Sequence, residues 1–212
     1  MQYKNLEYAN TVVQGSITEY DITAAGINVM YAEGIMKKDM YDYLMSLPKE
    51  IRNIKAGYFI RDNKGIQEKK EEALNKYIDL FIKENNIDED TVMEIASDAI
   101  WLFNAKRIQH TKFKNVEFRF DRCASILVSW NTYRFYYDSW GGDFFIRGYK
   151  EVTPFTFRMK ELLAMIDQNI DQMSLYKFIH EFKMDVLAEK ISFIDTNKTI
   201  QLIDWLIDQF IK

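Results

Sequence analysis

Two aspartates lie where the sequence changes from one kind of element to another, and together they could hold a catalytic metal ion. Asp21 stands in EYDITAAGINVM, where a strand pattern passes into a helix pattern. Asp98 stands in the polar step Ser97-Asp98 between two runs of β-forming residues, which predicts a hairpin with the acid at its tip. If the two strands pair, the carboxylates meet and can bind divalent cations that assist attack of a hydroxyl on a phosphate.

Each aspartate also has an ordinary structural explanation. Aspartate is a favoured N-cap, so Asp21 could simply begin the helix that follows it. Aspartate also bonds to the backbone of tight turns, so Asp98 could simply close the hairpin. The metal interpretation therefore depends on the fold bringing the two acids together.

Hydrophobic periodicity predicts the elements that must position these acids. An alternating strand over residues 10–22 is followed by amphipathic helices, which lie at 24–34, 37–47, 48–62 and 66–86. After the hairpin, alternating strand patterns occupy 114–120, 124–130, 132–138 and 142–152. The last part of the chain is helical, with apolar residues three and four apart at 157–170, 173–190 and 197–212.

This order of elements predicts an α+β fold, an antiparallel sheet with packed helices followed by a C-terminal helical region. We expect an α+β domain over residues 1–152 and the helical region over 153–212. No linker rich in Pro, Gly or Ser separates them, so the helical region could equally belong to the same domain.

Composition limits the classes of function. The net charge of −4 and the pI near 5.4 lack the basic field typical of proteins that grip nucleic acid, so such binding would need a local patch. A single cysteine, Cys123, excludes an internal disulfide, and two histidines disfavour a zinc site. Without a leader or a long apolar run, we expect a cytoplasmic protein with no membrane contact.

Several motifs resemble those of the family B DNA polymerases of viruses and phages. EYDITAAGINVM (19–30) is similar to their motif A, KEIRNIKAG (49–57) to motif B, K-x-x-x-N-S-x-Y-G, and IASDAIWLF (95–103) to motif C, Y-x-D-T-D-S. The stretch 130–152 resembles the two strands that follow motif C. The resemblance covers roughly residues 14–152, and its motifs occur in the family's order.

The motifs also depart from the family pattern. Ala96 replaces the first Asp of motif C, and Ile54 and Ala56 replace the Ser and Tyr of motif B. The interval from Asp21 to Lys49 is too short for the fingers, and the chain has no room for an exonuclease domain. The resemblance therefore implies a reduced palm domain of phage origin, in the host cytoplasm.

The resemblance implies a role for each matching residue. Asp21 and Asp98 would be catalytic and would bind Mg²⁺ or Mn²⁺, Lys49 would contact a phosphate, and Asn53 would position a nucleotide. The activity would be that of a metal-dependent nucleotidyltransferase, or of a polymerase-associated subunit acting on nucleic acid. The alternative is a catalytically inactive descendant with an interaction or structural role, and Lys49 and Asn53 would then lie on an ordinary exposed helix face.

Two further features are open to two interpretations. Tyr133, Arg134 and Lys150 could contact nucleic acid by stacking and phosphate binding, or the run 133–137 could line the two faces of a half-buried sheet. The apolar stripes of the last two helices could form the core between them, or could bind a protein partner or a second copy of the chain.

Overall fold

A computed structural model describes residues 10–147, 149 and 152–211. The described residues form two compact units, the first spanning Thr18–Arg122 and the second combining residues 10–17 with 123–211. Two strands cross the boundaries between the units, one at residues 17 and 18 and the other at residues 122 and 123. Each of these strands therefore contributes one part to each unit. The predicted C-terminal helices thus belong to the second unit, together with part of the sheet.

The first unit contains four helices and the strands around the predicted hairpin. Its helices are α1 (Ala25–Ala32), α2 (Lys38–Met45), α3 (Lys49–Asp62) and α4 (Ile66–Glu84). Its strands are β2 (Val92–Ala96), β3 (Ala99–Phe103), β4 (Lys112–Phe113), and parts of β1 (Thr11–Ile22) and β5 (Val116–Trp130). The strand order here is β2-β3-β1-β5, with β4 also paired to β5.

Helix α4 supplies much of the core of the first unit. Its inward positions recur three and four residues apart, as the sequence predicted, at Leu74, Tyr77, Ile78 and Phe81. The Phe81 ring stacks on that of Phe118 with centroids 4.3 Å apart. Helix and sheet are therefore joined through aromatic side chains.

The hairpin predicted around Asp98 is confirmed. Ala96 pairs with Ala99, so Ser97 and Asp98 form a two-residue turn between β2 and β3. Ser97 has a φ of 61°, the left-handed conformation that such turns require. The turn places Asp98 at the end of the strand pair.

Two predicted strands are one. The sequence suggested separate strands at 114–120 and 124–130, but β5 runs without interruption from Val116 to Trp130. The residues between them, Asp121 to Cys123, include no Gly or Pro that would end a strand. Lys114 has a φ of 52° in the turn between β4 and β5, where a strand had been predicted to begin.

The second unit is a sheet with three helices. It combines parts of β1 and β5 with β6 (Tyr133–Asp138) and β7 (Asp143–Arg147), followed by α5 (Pro154–Asp167), α6 (Gln172–Leu187) and α7 (Thr196–Phe210). The strand order is β1-β5-β6-β7, and both β5–β6 and β6–β7 are antiparallel. The α+β class is confirmed.

The apolar stripes of the last two helices form the core of this unit. Leu175, Phe182 and Leu206 are among the fully or nearly fully buried members of a cluster that also includes β5 and β6 side chains. Trp205 and Phe210 are partly buried and pack against the same cluster. Within the described part of the chain, no helix is both long and apolar enough to span a membrane.

Candidate functional site

The end of β1 and the β2–β3 turn meet in the first unit. The Ile22 amide donates a hydrogen bond to the Asp98 carbonyl, with N and O 3.0 Å apart. Asp21 precedes Ile22, so the chain brings together two acids that are far apart in the sequence. Both are half-buried and line one pocket.

The ordinary structural explanations do not account for these two acids. The N-cap of α1 is Ala24, with no side-chain capping bond, so Asp21 does not begin the helix. The junction is held instead by Asn28, whose amide donates to the Thr23 carbonyl and whose Oδ1 accepts from the Tyr41 hydroxyl. Among the residues that the structure describes, nothing forms a hydrogen bond with the Asp98 carboxylate.

The environment of Asp21 disfavours its negative charge. Burial raises the pKa of the Asp21 carboxyl above its ordinary range, and repulsion by Asp98 adds a smaller increase. Arg119 opposes this shift, with its Nη2 3.3 Å from Asp21 Oδ2. The Arg119 side chain is 54% exposed, so it can leave the carboxylate without breaking the core.

The pocket around the two acids has a volume of about 390 Å³. Helix α3 forms one wall, with lining residues spaced three and four apart. They are Lys49, Arg52, Asn53, Ala56, Gly57 and Ile60. The predicted residues Asp21, Asp98, Lys49 and Asn53 therefore line the same pocket.

Two arginines also line the pocket, and they were not among the residues predicted for this site. Arg52 lies three residues after Lys49, and this helical spacing could have revealed it. Its Nε is buried and, within the described residues, has no hydrogen-bond partner. Arg119 lies on β5, 98 residues from Asp21, and no local pattern connects the two.

The pocket lining contains two carboxylates and three cationic groups. Over the described residues, no three or more His, Cys, Asp or Glu side chains are grouped to hold a metal ion. Two carboxylates nevertheless fit Mg²⁺ that is also bound by phosphate oxygens and water, which is its usual coordination at nucleotide sites. The assignment of Mg²⁺ or Mn²⁺ to Asp21 and Asp98 stays a prediction.

The residues predicted to contact nucleic acid have other surroundings. The Tyr133 ring packs edge-on against Phe193, with centroids 4.7 Å apart. Arg134 is only 2% exposed and donates to the carbonyls of Asn131 and Tyr133 at 3.1 Å. These are contacts within a sheet, as in the alternative interpretation, but β6 is buried on both faces from Arg134 to Tyr137. Lys150 lies outside the described residues.

Comparison with known proteins identifies a phage family. The family described as "Bacteriophage PBS1 gene 130 protein" matches residues 1–208 of the 212. A search of curated proteins finds no match. The predicted phage origin is confirmed, while the kinship to polymerase palms stays a prediction. The chain belongs to the family of the bacteriophage PBS1 gene 130 protein.

Proposed function

We propose that the pocket of the first unit binds the phosphates of a nucleoside triphosphate together with Mg²⁺ or Mn²⁺, and transfers the nucleotidyl group to a hydroxyl at a polynucleotide end with release of pyrophosphate. One observation carries the proposal. Four side chains from three separate elements, selected by their chemistry and order in the sequence, line one pocket that also contains Arg52 and Arg119.

The two acids would hold the divalent cation, which neutralises phosphate charge when bound. A cation between them would relieve the repulsion that raises the pKa of Asp21. The carboxylate of Asp21 becomes available when Arg119 moves from it to a phosphate oxygen. This exchange couples binding of the anion to binding of the cation.

The cationic groups would bind and orient the phosphate. Lys49 supplies a flexible point charge, whereas Arg52 and Arg119 supply planar groups that can donate two hydrogen bonds to one phosphate. Asn53, one helical turn after Lys49, would position the base or sugar. Exposed Lys49 and Asn53 can reach a ligand without displacing core side chains.

Binding can be tested by calorimetry with a nucleoside triphosphate in the presence of Mn²⁺. Asp21→Asn and Asp98→Asn should each weaken binding at least about tenfold, since each removes one of two ligands. Asp208→Asn changes an exposed acid of the second unit and should leave binding unchanged. Equal affinities in all four proteins would refute a metal–phosphate site.

Activity is tested separately by incorporation of labelled nucleotide into a primer end. Lys49→Ala should reduce incorporation while the folded state, measured by circular dichroism, is retained. Incorporation that survives Asp21→Asn unchanged would contradict the catalytic role of the pocket.

A non-catalytic interaction role is the second candidate. Helix α3 exposes Ile51, Ile54 and Tyr58, each about half accessible, on one apolar face. This face is turned toward solvent. Self-association that depends on this face, measured by sedimentation of wild type and Ile54→Lys, with no binding of nucleotide, would favour this candidate.

A further inference from the structure

A second cavity lies within the second unit, and the proposed nucleotide site does not involve it. Its volume is about 510 Å³, within the range of small-molecule sites. Strands β1 and β5 form its base, the β6–β7 turn one side, and the end of α5 the other. Its polar and aromatic groups are two carboxylates, hydroxyl and amide groups, the Cys123 thiol and one indole ring.

The cavity is acidic. Asp138 and Asp167 line it, and the described lining includes no Lys or Arg. The same charges act on neighbouring groups. The pKa of the Cys123 thiol is raised by burial and, to a smaller extent, by the charge of Asp138. The pKa of the Tyr137 hydroxyl is raised by burial and, to a smaller extent, by the charge of Asp167. An anionic ligand such as a phosphate would be repelled here, and a cation would be attracted.

Asp167 stands where a negative charge is unfavourable for the helix itself. It is the last residue of α5, beside carbonyl groups that carry the negative end of the helix dipole. No described residue forms a hydrogen bond or an ion pair with its carboxylate. Among the described residues the charge therefore has no stabilising partner, and a bound cation would supply one.

Trp140 provides an aromatic surface at the cavity. Its side chain is 93% exposed, although the turn that carries it is firmly held. Asp138 accepts the amide hydrogens of Trp140 at 3.0 Å and of Gly141 at 3.1 Å, and the Ser139 amide donates to Ser125 Oγ. Gly141 suits the turn because a Cβ there would lie 3.1 Å from Asp138. The indole is therefore presented to solvent by a fixed backbone.

We propose that this cavity binds an organic cation of the linear polyamine class. The ammonium groups would pair with the Asp167 carboxylate and with the Asp138 carboxylate, on the side away from the turn amides that it accepts. An alkylammonium segment would lie on the Trp140 ring in a cation–π contact. The hydroxyl and amide groups of Ser16, Gln14 and Asn169 accept the remaining N–H hydrogens.

Spermidine is the probe, and calorimetry on the full chain is the measurement. Wild type should bind it, and Asp167→Asn should bind it about fivefold more weakly. Trp140→Ala should bind it about two- to fivefold more weakly, and Trp140→Phe should lose less. Asp208→Asn changes the net charge by the same amount at a position outside the cavity, and it should bind spermidine as wild type does.

A stability measurement separates a ligand role from a structural one. Asp167→Asn should melt at the same temperature as wild type or higher without spermidine, because it removes an unfavourable charge from the helix end. When spermidine is added, the melting temperature of wild type and of Asp208→Asn should rise more than that of Asp167→Asn.

Three results would overturn the proposal. They are no binding of spermidine at millimolar concentration, equal binding by Asp167→Asn, and tighter binding of a neutral trisaccharide, which would show that the indole and amides recognise a sugar. Failure here leaves the nucleotide site intact, because the two cavities share no lining residue.

Discussion

Glu33 ties the end of α1 to α4 and to the β4–β5 turn, and its charge should contribute measurably to stability. Its carboxylate accepts hydrogen bonds from Lys76 Nζ and, at 2.8 Å, from the Tyr77 hydroxyl, and Lys114 Nζ lies 3.4 Å away. These contacts, the Lys76 bond foremost, hold the pKa of the Glu33 carboxyl at about 2, below its ordinary 4.5.

The substitution Glu33→Gln removes the charge and nearly preserves the shape. The lowered pKa, at about 1.4 kcal/mol per unit, limits the stabilisation to roughly 3 kcal/mol. Lys76 and Lys114 are 52% and 62% exposed, so water screens them. We therefore expect Glu33→Gln to lower the free energy of unfolding at pH 7 by about 1–2 kcal/mol.

The pH dependence identifies the charge as the cause. Because the folded-state pKa lies below the unfolded one, the stabilisation is present above the unfolded value of 4.5 and is lost as the pH falls toward 2. Urea denaturation at several pH values from 7 to 3 should show the gap between wild type and Glu33→Gln narrowing. Glu181→Gln, at an exposed position, should show no gap. A gap that stays constant over this range would refute the electrostatic reasoning.

Four further substitutions test the fold and the site. Phe155→Ala should lower the free energy of unfolding in urea by about 3–5 kcal/mol, because Phe155 is fully buried and stacks on Phe193 at 4.3 Å. Asp195→Ala should cost about 1 kcal/mol in the same assay, because its carboxylate caps the first turn of α7. Gly142→Ala should cost about 1 kcal/mol, because Gly142 has a φ of +63°. In the absence of divalent cations, Asp21→Asn should raise the melting temperature at pH 7 and not at pH 3. The raised pKa means that folding disfavours only the ionised carboxylate of Asp21, which is the form present at pH 7. A lower melting temperature of the variant at pH 7 would contradict this.

Local sequence patterns were sufficient for most element boundaries. Gly34, with a φ of +69°, follows the end of α1, and Pro48 immediately precedes α3, where its fixed φ suits the helix start. The Ser97-Asp98 step gave the hairpin turn because the residues on either side favour strands. These features depend only on neighbours in the chain, so they can be read without the fold.

The direction in which a helix face points could not be read in the same way. Ile51, Ile54 and Tyr58 have the spacing of a buried stripe, yet the structure buries Ala56 on α3 and leaves them exposed. Periodicity shows that residues share a face, but the surrounding elements determine whether that face meets the core.

The candidate site divides in the same manner. Local periodicity was enough to predict that Asp21 lies at a strand end, that Asp98 occupies a turn, and that Lys49 and Asn53 share a helix face. That all four line one pocket, and that Arg119 pairs with Asp21, depends on how distant parts of the chain fold together. Strand pairing and packing act between distant residues, and the charges that meet across them change each other's pKa only once the chain is folded.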